Sequence, residues 1–284
     1  MKVEKITIAA RDGFPLSATL FQPKDKSQGV IQLHTGTGIP QKLYANLASF
    51  LAEQGFTALT FDYRGVAESA PDSLKNFSAE VIDWGRKDMT GVFDWVMDNY
   101  PDQKKTIIAH SMGGQMIGLM DNHASIDQLY FIASSTGYWG DMSFPFKWQH
   151  IFFWYFLIPL HVRMYGYVNA MKVRQGENLP AGVAMQWRKW CTNSNYFEPD
   201  YHGGALAPHF FEQVTTPIES IRISDDPIAN GVTVKKMLGY YKNAPIQERT
   251  IHPSDYGLHK IGHTGFFSRK MKKLWEQVVT EIAS

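Results

Sequence analysis

The feature that most constrains this chain is a series of short apolar segments separated by residues at helical spacing. Val30–Leu33, Phe56–Phe61, Thr106–Ala109, Leu129–Ala133, Ile218–Ser224 and Ile246–Ile251 read as strands of four to seven residues. Between them, Tyr44, Leu47, Ala48 and Leu51 recur at helical spacing and end at Gly55, and Met89, Val92, Phe93, Val96, Met97 and Tyr100 do the same before Pro101. Met271, Leu274, Trp275, Val278 and Val279 form a last amphipathic helix. A strand that is apolar throughout must be covered on both faces, and its alternation with helices predicts a mostly parallel sheet between two helical layers. Val3–Ile8 and Ala18–Phe21 add two strands, joined by an Asp12-Gly13 turn of the kind that suits φ > 0.

The rhythm fails between about 140 and 212. Here lie Trp148, Trp154, Trp187 and Trp190, just after Trp139, with no clean strand and several helix-compatible pieces. The reading is a core of residues 1–139 and 213–284 interrupted by an inserted helical cap, 140–212. The 284 residues suit one large α/β domain carrying such an insertion.

Charge and cysteine content exclude several classes. The net charge of +1, without a basic run, gives no concentrated face for nucleic acid. Cys191 is the only cysteine, so neither an internal disulfide nor a Cys-rich metal site is expected. The N-terminus lacks the apolar core and cleavage site of a signal peptide. The most apolar run, Ile151 to Leu160, is half of the roughly 20 residues that span a bilayer. A cytoplasmic protein without stable membrane insertion is the expectation.

Ala109-His110-Ser111-Met112-Gly113-Gly114 sits between an apolar strand and a helix-like segment, the context of a nucleophile elbow. A tight turn there strains the serine backbone, so residues two before and two after it must be small. Ala109 and Gly113 meet that requirement, with alanine where glycine is usual. The helix beginning at Met112 would turn free amides toward a negative oxygen. The plainer reading of Ser111 is a helix N-cap.

With these segments in order, the chain resembles the α/β-hydrolase superfamily over nearly its whole length apart from the cap. His34-Thr35-Gly36-Thr37-Gly38 lies where the family has its oxyanion loop. Asp62 to Ser69 is similar to the family's D-x-R-G-x-G-x-S loop, with Ala67 for a glycine. The nearest subgroup is the capped, serine-aminopeptidase-like or lysophospholipase-like hydrolases. The resemblance implies an α/β-hydrolase fold with an eight-stranded sheet. It also implies a triad in the chain order serine, acid, histidine. Ser111 is then the nucleophile, Asp226 before Pro227-Ile228 the acid, and His263 in Gly262-His263-Thr264-Gly265-Phe266-Phe267 the base. Asp225 is the runner-up acid, the helix around Val232 to Tyr240 offering either aspartate a capping role instead. His259 is the rival base, and His252 ends a strand. His259 and His263 have the spacing of two helical zinc ligands, but the H-E-x-x-H glutamate is missing and glycines argue against a helix. The Met112 amide would supply one oxyanion donor and the loop after Leu33 the other, Thr37 in preference to Gly36. His34 and Arg64 are read as braces.

The expected chemistry is hydrolysis of a carboxylic ester or related acyl bond of a small, apolar substrate through an acyl-enzyme, without metal or organic cofactor. Amide or peptide hydrolysis and acyl transfer on the same triad stand second. From another class, a non-catalytic binding homologue would lack a triad member. The aromatic insert is read as a lid over an apolar pocket, a partner surface or a membrane-touching patch. Trp187 and Trp190 are placed at the entrance. Phe152 to Phe156 in a row cannot share one helix face, so some must meet the core or the substrate.

Overall fold

A computed structural model describes residues 1–171 and 176–283. The chain forms strands β1 (Lys2–Ala9), β2 (Pro15–Gln22), β3 (Val30–His34), β4 (Thr57–Phe61), β5 (Lys105–His110) and β6 (Gln128–Ile132). β7 (Tyr167–Val168), β8 (Leu179–Pro180), β9 (Ile218–Ile223) and β10 (Ile246–Ile251) follow. Eight of them make one sheet in the order β1-β2-β4-β3-β5-β6-β9-β10. The β1–β2 and β2–β4 pairs are antiparallel, and every pair from β4 to β10 is parallel.

Burial follows the sequence pattern. β3, β4 and β5 are buried along their whole length, as unbroken strands between two helical layers must be. β2 alternates, and β10 at the far edge exposes Ile246 to Glu248. Helices Ala45–Glu53 and Lys272–Ala283 cover one face through Leu47, Leu51, Leu274 and Val278. Thr90–Asn99 and Gly231–Leu238 cover the other through Phe93, Val96, Val234 and Met237. The eight sheet strands and four flanking helices thus form where the sequence placed them.

Between β6 and β9 the chain leaves the sheet. It forms a continuous helical rod, Phe146–Phe152, a wider π turn Phe153–Leu157, and Ile158–Tyr165, which stops at Gly166 with φ +79°. The helix Ala181–Cys191 follows. Trp154, Ile158, Val183 and Trp190 are buried in the same apolar cluster as the sheet face below them, so this insert extends the core. β7 and β8 pair with each other inside it, where the sequence showed no strand. Two-residue strands are too short to carry an alternating pattern. Among the described residues no helix is long and apolar enough to cross a membrane.

Candidate active site

β5 runs buried to His110, and the next residue breaks its geometry. Ser111 has φ 50° and ψ −113°, a strained backbone for a residue with a side chain. Its amide still donates to the Ile132 carbonyl of β6 at 3.0 Å, so the turn stays stitched to the sheet. The helix Met112–Gln115 begins at once. A Cβ on Gly113 would lie 2.6 Å from the His34 Cβ, and one on Gly114 would collide with the Ser134 hydroxyl. The elbow therefore fits between the ends of β3 and β6 only with glycine at both positions. Ala109 is fully buried, one residue before the end of β5.

The structure brings Ser111, His263 and Asp226 together from three loops. The Ser111 hydroxyl lies 3.0 Å from His263 Nε2, and His263 Nδ1 lies 2.6 Å from Asp226 Oδ2. The Asp226 side chain is inaccessible to solvent, and that of His263 is 17% exposed. Asp226 Oδ1 accepts the amides of Ile228 and Ala229 at 2.8 and 3.1 Å. Burial pushes the Asp226 carboxyl up, but the His263 bond and charge and these two amides outweigh it and hold the group below the usual carboxylate range. It is thus an anion at neutral pH, fixing Nδ1–H on His263 and leaving Nε2 to accept from serine.

Asp225 does something else. Its two oxygens accept the amides of Ile261 and Gly262 at 3.0 and 2.9 Å, which ties the histidine loop to the end of β9. Gly262, at φ +66°, takes the left-handed turn that presents His263. Neither aspartate caps the following helix. Asn230 does, accepting from Val232 and Thr233. His252 and His259 are exposed, and neither lines the cavity at Ser111.

One further pair of residues joins the parts. The Gly36 amide donates to the Tyr44 hydroxyl at 2.8 Å, which lies 2.7 Å from His110 Nδ1. His110 Nε2 lies 3.0 Å from the His263 carbonyl. A single tautomer satisfies the chain: Tyr44 donates to Nδ1, and Nε2–H donates to that carbonyl. Complete burial, with the neighbouring His263, pushes the His110 imidazole down to about 3, so it is neutral. The loop before Thr37 is thereby linked to the loop of His263 through the residue preceding Ser111. The sequence offered no sign of this. Tyr44 looked like one member of a helical stripe, and His110 is the free position of the elbow motif.

The Gly36 amide is thus occupied, whereas those of Thr37 and Met112 donate to no group among the described residues. Ser111, His263 and Thr37 line a cavity of about 120 Å³ with Gln115, Met142, Trp154 and Trp187. A groove of about 780 Å³ adjoins it, sharing Thr37, His150, Trp187 and Ile228, and continues over Phe146, Phe153, Leu157 and Leu179. Trp187 stands at the junction, as expected of an entrance residue. Trp190 does not: it is fully buried, and its indole N–H donates to Asp200 at 2.7 Å. Its N–H finds a buried partner there, and its ring completes the core under the insert. Arg64 is buried between Asp12 and Asp88, with ion pairs of 2.7 and 2.6 Å. Arg64 thus serves as a brace, whereas His34 is fully buried, burial pushing its imidazole down to about 3, with Nε2 2.8 Å from Gln32.

The sheet order, the elbow and the loops at the strand ends define the α/β-hydrolase fold. The chain belongs to the family of hydrolases described as serine aminopeptidase, S33, whose model matches residues 25–187. That span includes Ser111 and ends before Asp226 and His263. Solved structures share the fold along the whole chain. A carboxyl esterase from Bacillus coagulans is 16% identical with a TM-score of 0.62, covering 99% of this chain and 98% of its own. An esterase from Pyrococcus furiosus is 13% identical with a TM-score of 0.61, covering 98% and 89%. The esterase domain of a Rhodothermus marinus protein is 14% identical with a TM-score of 0.58, covering 100% and 98%. No curated protein matches the chain by sequence.

Proposed function

We propose that the protein hydrolyses carboxylic esters with an apolar acyl group, through an acyl-enzyme on Ser111. The observation that carries this reading is the unbroken relay from Ser111 through His263 to Asp226, set on a strained elbow. His263 takes the serine proton as Oγ bonds to the ester carbonyl carbon. The Met112 and Thr37 amides receive the resulting oxyanion. The tetrahedral adduct collapses, the carbon–alkoxy bond breaks, and His263 protonates the leaving alcohol. Water then attacks the acyl-enzyme, passing its proton through His263 to the serine oxygen, and the acid is released. Asp226 stabilises the imidazolium at both stages.

The cavity favours an ester over an N-terminal peptide. No aspartate or glutamate lines the Ser111 cavity itself among the described residues, and Glu177 on the wall of the adjoining groove is not part of it, so an ammonium group beside the scissile bond would have no counter-charge there. Aromatic and aliphatic walls running on into the adjoining groove suit an acyl chain, and the insert serves as a lid over them.

The test is labelling by a fluorophosphonate probe alongside turnover of p-nitrophenyl esters and aminoacyl p-nitroanilides. Wild type is expected to label and to prefer the esters. Ser111→Ala should lose the label and about 10⁴-fold or more in ester turnover. Equal labelling of that variant would overturn the nucleophile, and a preference for the anilides would overturn the ester reading.

A further inference from the structure

The rod that forms the front of the insert has two apolar faces. One is buried: Trp154 and Ile158 are 1% and 0% exposed. The other faces outward. Trp148, Phe152, Phe156, Leu160 and Met164 recur every fourth residue, each between 53% and 61% exposed, with Phe144 at 73% just before them. In an α-helix a four-residue repeat drifts by about 40° per step. The wider π turn at Phe153–Leu157 takes back part of that drift, which keeps the series on one side. Phe152 and Phe156 stack on each other, 5.9 Å apart. Single exposed apolar residues are ordinary, but a contiguous stripe of this length marks an interaction surface.

Two observations say what covers it. First, the described stretch from Met142 to Met171, which contains the rod, holds Lys147 and Arg163 and no aspartate or glutamate. This is a local charge of +2, whereas the whole chain balances to +1. Among the described residues Lys147 and Arg163 take part in no ion pair, and the Arg188 guanidinium adds charge from the next helix, 5.6 Å from the Tyr155 ring centre. Such a surface repels a second copy of itself and is attracted to an anionic one. Secondly, Trp148 and Phe152 belong both to the stripe and to the wall of the groove that reaches the Ser111 cavity through Thr37, His150, Trp187 and Ile228.

We propose that the rod lies on an anionic lipid surface, its stripe among the acyl chains and its basic residues at the headgroups, and that an acyl chain enters the groove from that surface. The helix lies in the interface without crossing it, as an apolar face beside basic charge dictates. The delivery step rests on the ester reading above, whereas docking does not need Ser111.

The experiment therefore uses the Ser111→Ala protein, co-sedimented with vesicles of phosphatidylcholine alone or mixed with phosphatidylglycerol. It is expected to bind the mixed vesicles and to be released as salt rises from about 0.05 to about 0.5 M. Phe156→Ser, Leu160→Ser and Met164→Ser, made together at positions outside the groove, should weaken that binding at least about tenfold. The same triple change on the Ser111 background should leave turnover of dissolved p-nitrophenyl acetate unchanged, which also shows that the variant folds. Failure of the Ser111→Ala protein to bind mixed vesicles would overturn the proposal, as would equal binding by the triple variant. So would a dimer, seen by light scattering, that the triple change dissociates. Loss of the ester reading alone would leave vesicle binding intact.

Discussion

The strand ends that carry Ser111 and the helical insert above them are built on opposite principles. At the strand ends the groups around Ser111 are tied by directed hydrogen bonds: Asp225 on two amides, Asp226 on two amides and His263, His110 between Tyr44 and the His263 carbonyl. Steric room is equally exhausted, since Gly113 and Gly114 tolerate no Cβ. The insert is held by aromatic contacts such as the edge-on Trp154–Trp187 pair at 4.7 Å, and it leaves a line of large apolar side chains in water. Hydrogen bonds are directional and fix atoms to fractions of an ångström, which bond-making requires. Apolar packing is indifferent to direction and tolerates varied occupants. On the proposed ester reading, chemistry falls to one region and selection of the acyl group to the other.

The two adjacent aspartates give the sharpest test of that division. Asp226→Asn should lower kcat about 10⁴-fold through the wrong histidine tautomer. Asp225→Asn keeps a side-chain oxygen for one amide, and should cost about a hundredfold or less, with a loss of about 1–3 kcal/mol in stability. Steady-state kinetics and urea melts on both variants check this. Equal losses in kcat would erase the distinction between relay and loop anchor.

The link from Tyr44 through His110 to the His263 carbonyl makes stability depend on pH with a defined sign. The folded His110 sits at about 3 and its ordinary value is 6.5, so between those values only the unfolded chain takes up the proton. Stability from this group is complete above pH 6.5 and drains away as pH falls. His110→Asn is destabilising at pH 7, but it removes this drain. Its deficit against wild type should shrink by about 2 kcal/mol between pH 7 and pH 5, measured by urea unfolding at both values. A constant deficit would mean that His110 is not held neutral.

The smallest effect is expected in the insert. Trp187→Ala, at the junction of cavity and groove, should change the ratio of kcat/KM for octanoyl over acetyl p-nitrophenyl esters by about tenfold. Acetyl turnover itself should stay within a few-fold of wild type. A fall in both by the same large factor would show that the insert positions the chemistry, and would break the comparison.

Much of the fold was legible because its signals are local. Apolar runs such as Thr106–Ala109 cannot be exposed on either face, and Gly113-Gly114 after a strand implies close helix packing. Ser111, Asp226 and His263 could be named because each sits in a short pattern whose order is set by the fold. The insert was legible only as a departure from that rhythm. Trp187 and Trp190, three residues apart in one helix, gave no hint that one meets the cavity and the other Asp200.

What the sequence determined by itself was therefore the layered α/β architecture and the elbow, both consequences of periodicity and of side-chain size within a few residues. What the tertiary structure alone decided was the division of labour between Asp225 and Asp226, the link from Tyr44 through His110 to His263, and the outward face of the rod. Each depends on which groups distant in the chain arrive within about 3 Å, and on which surfaces are left uncovered when they do. Neither is written in the spacing of residues along the chain.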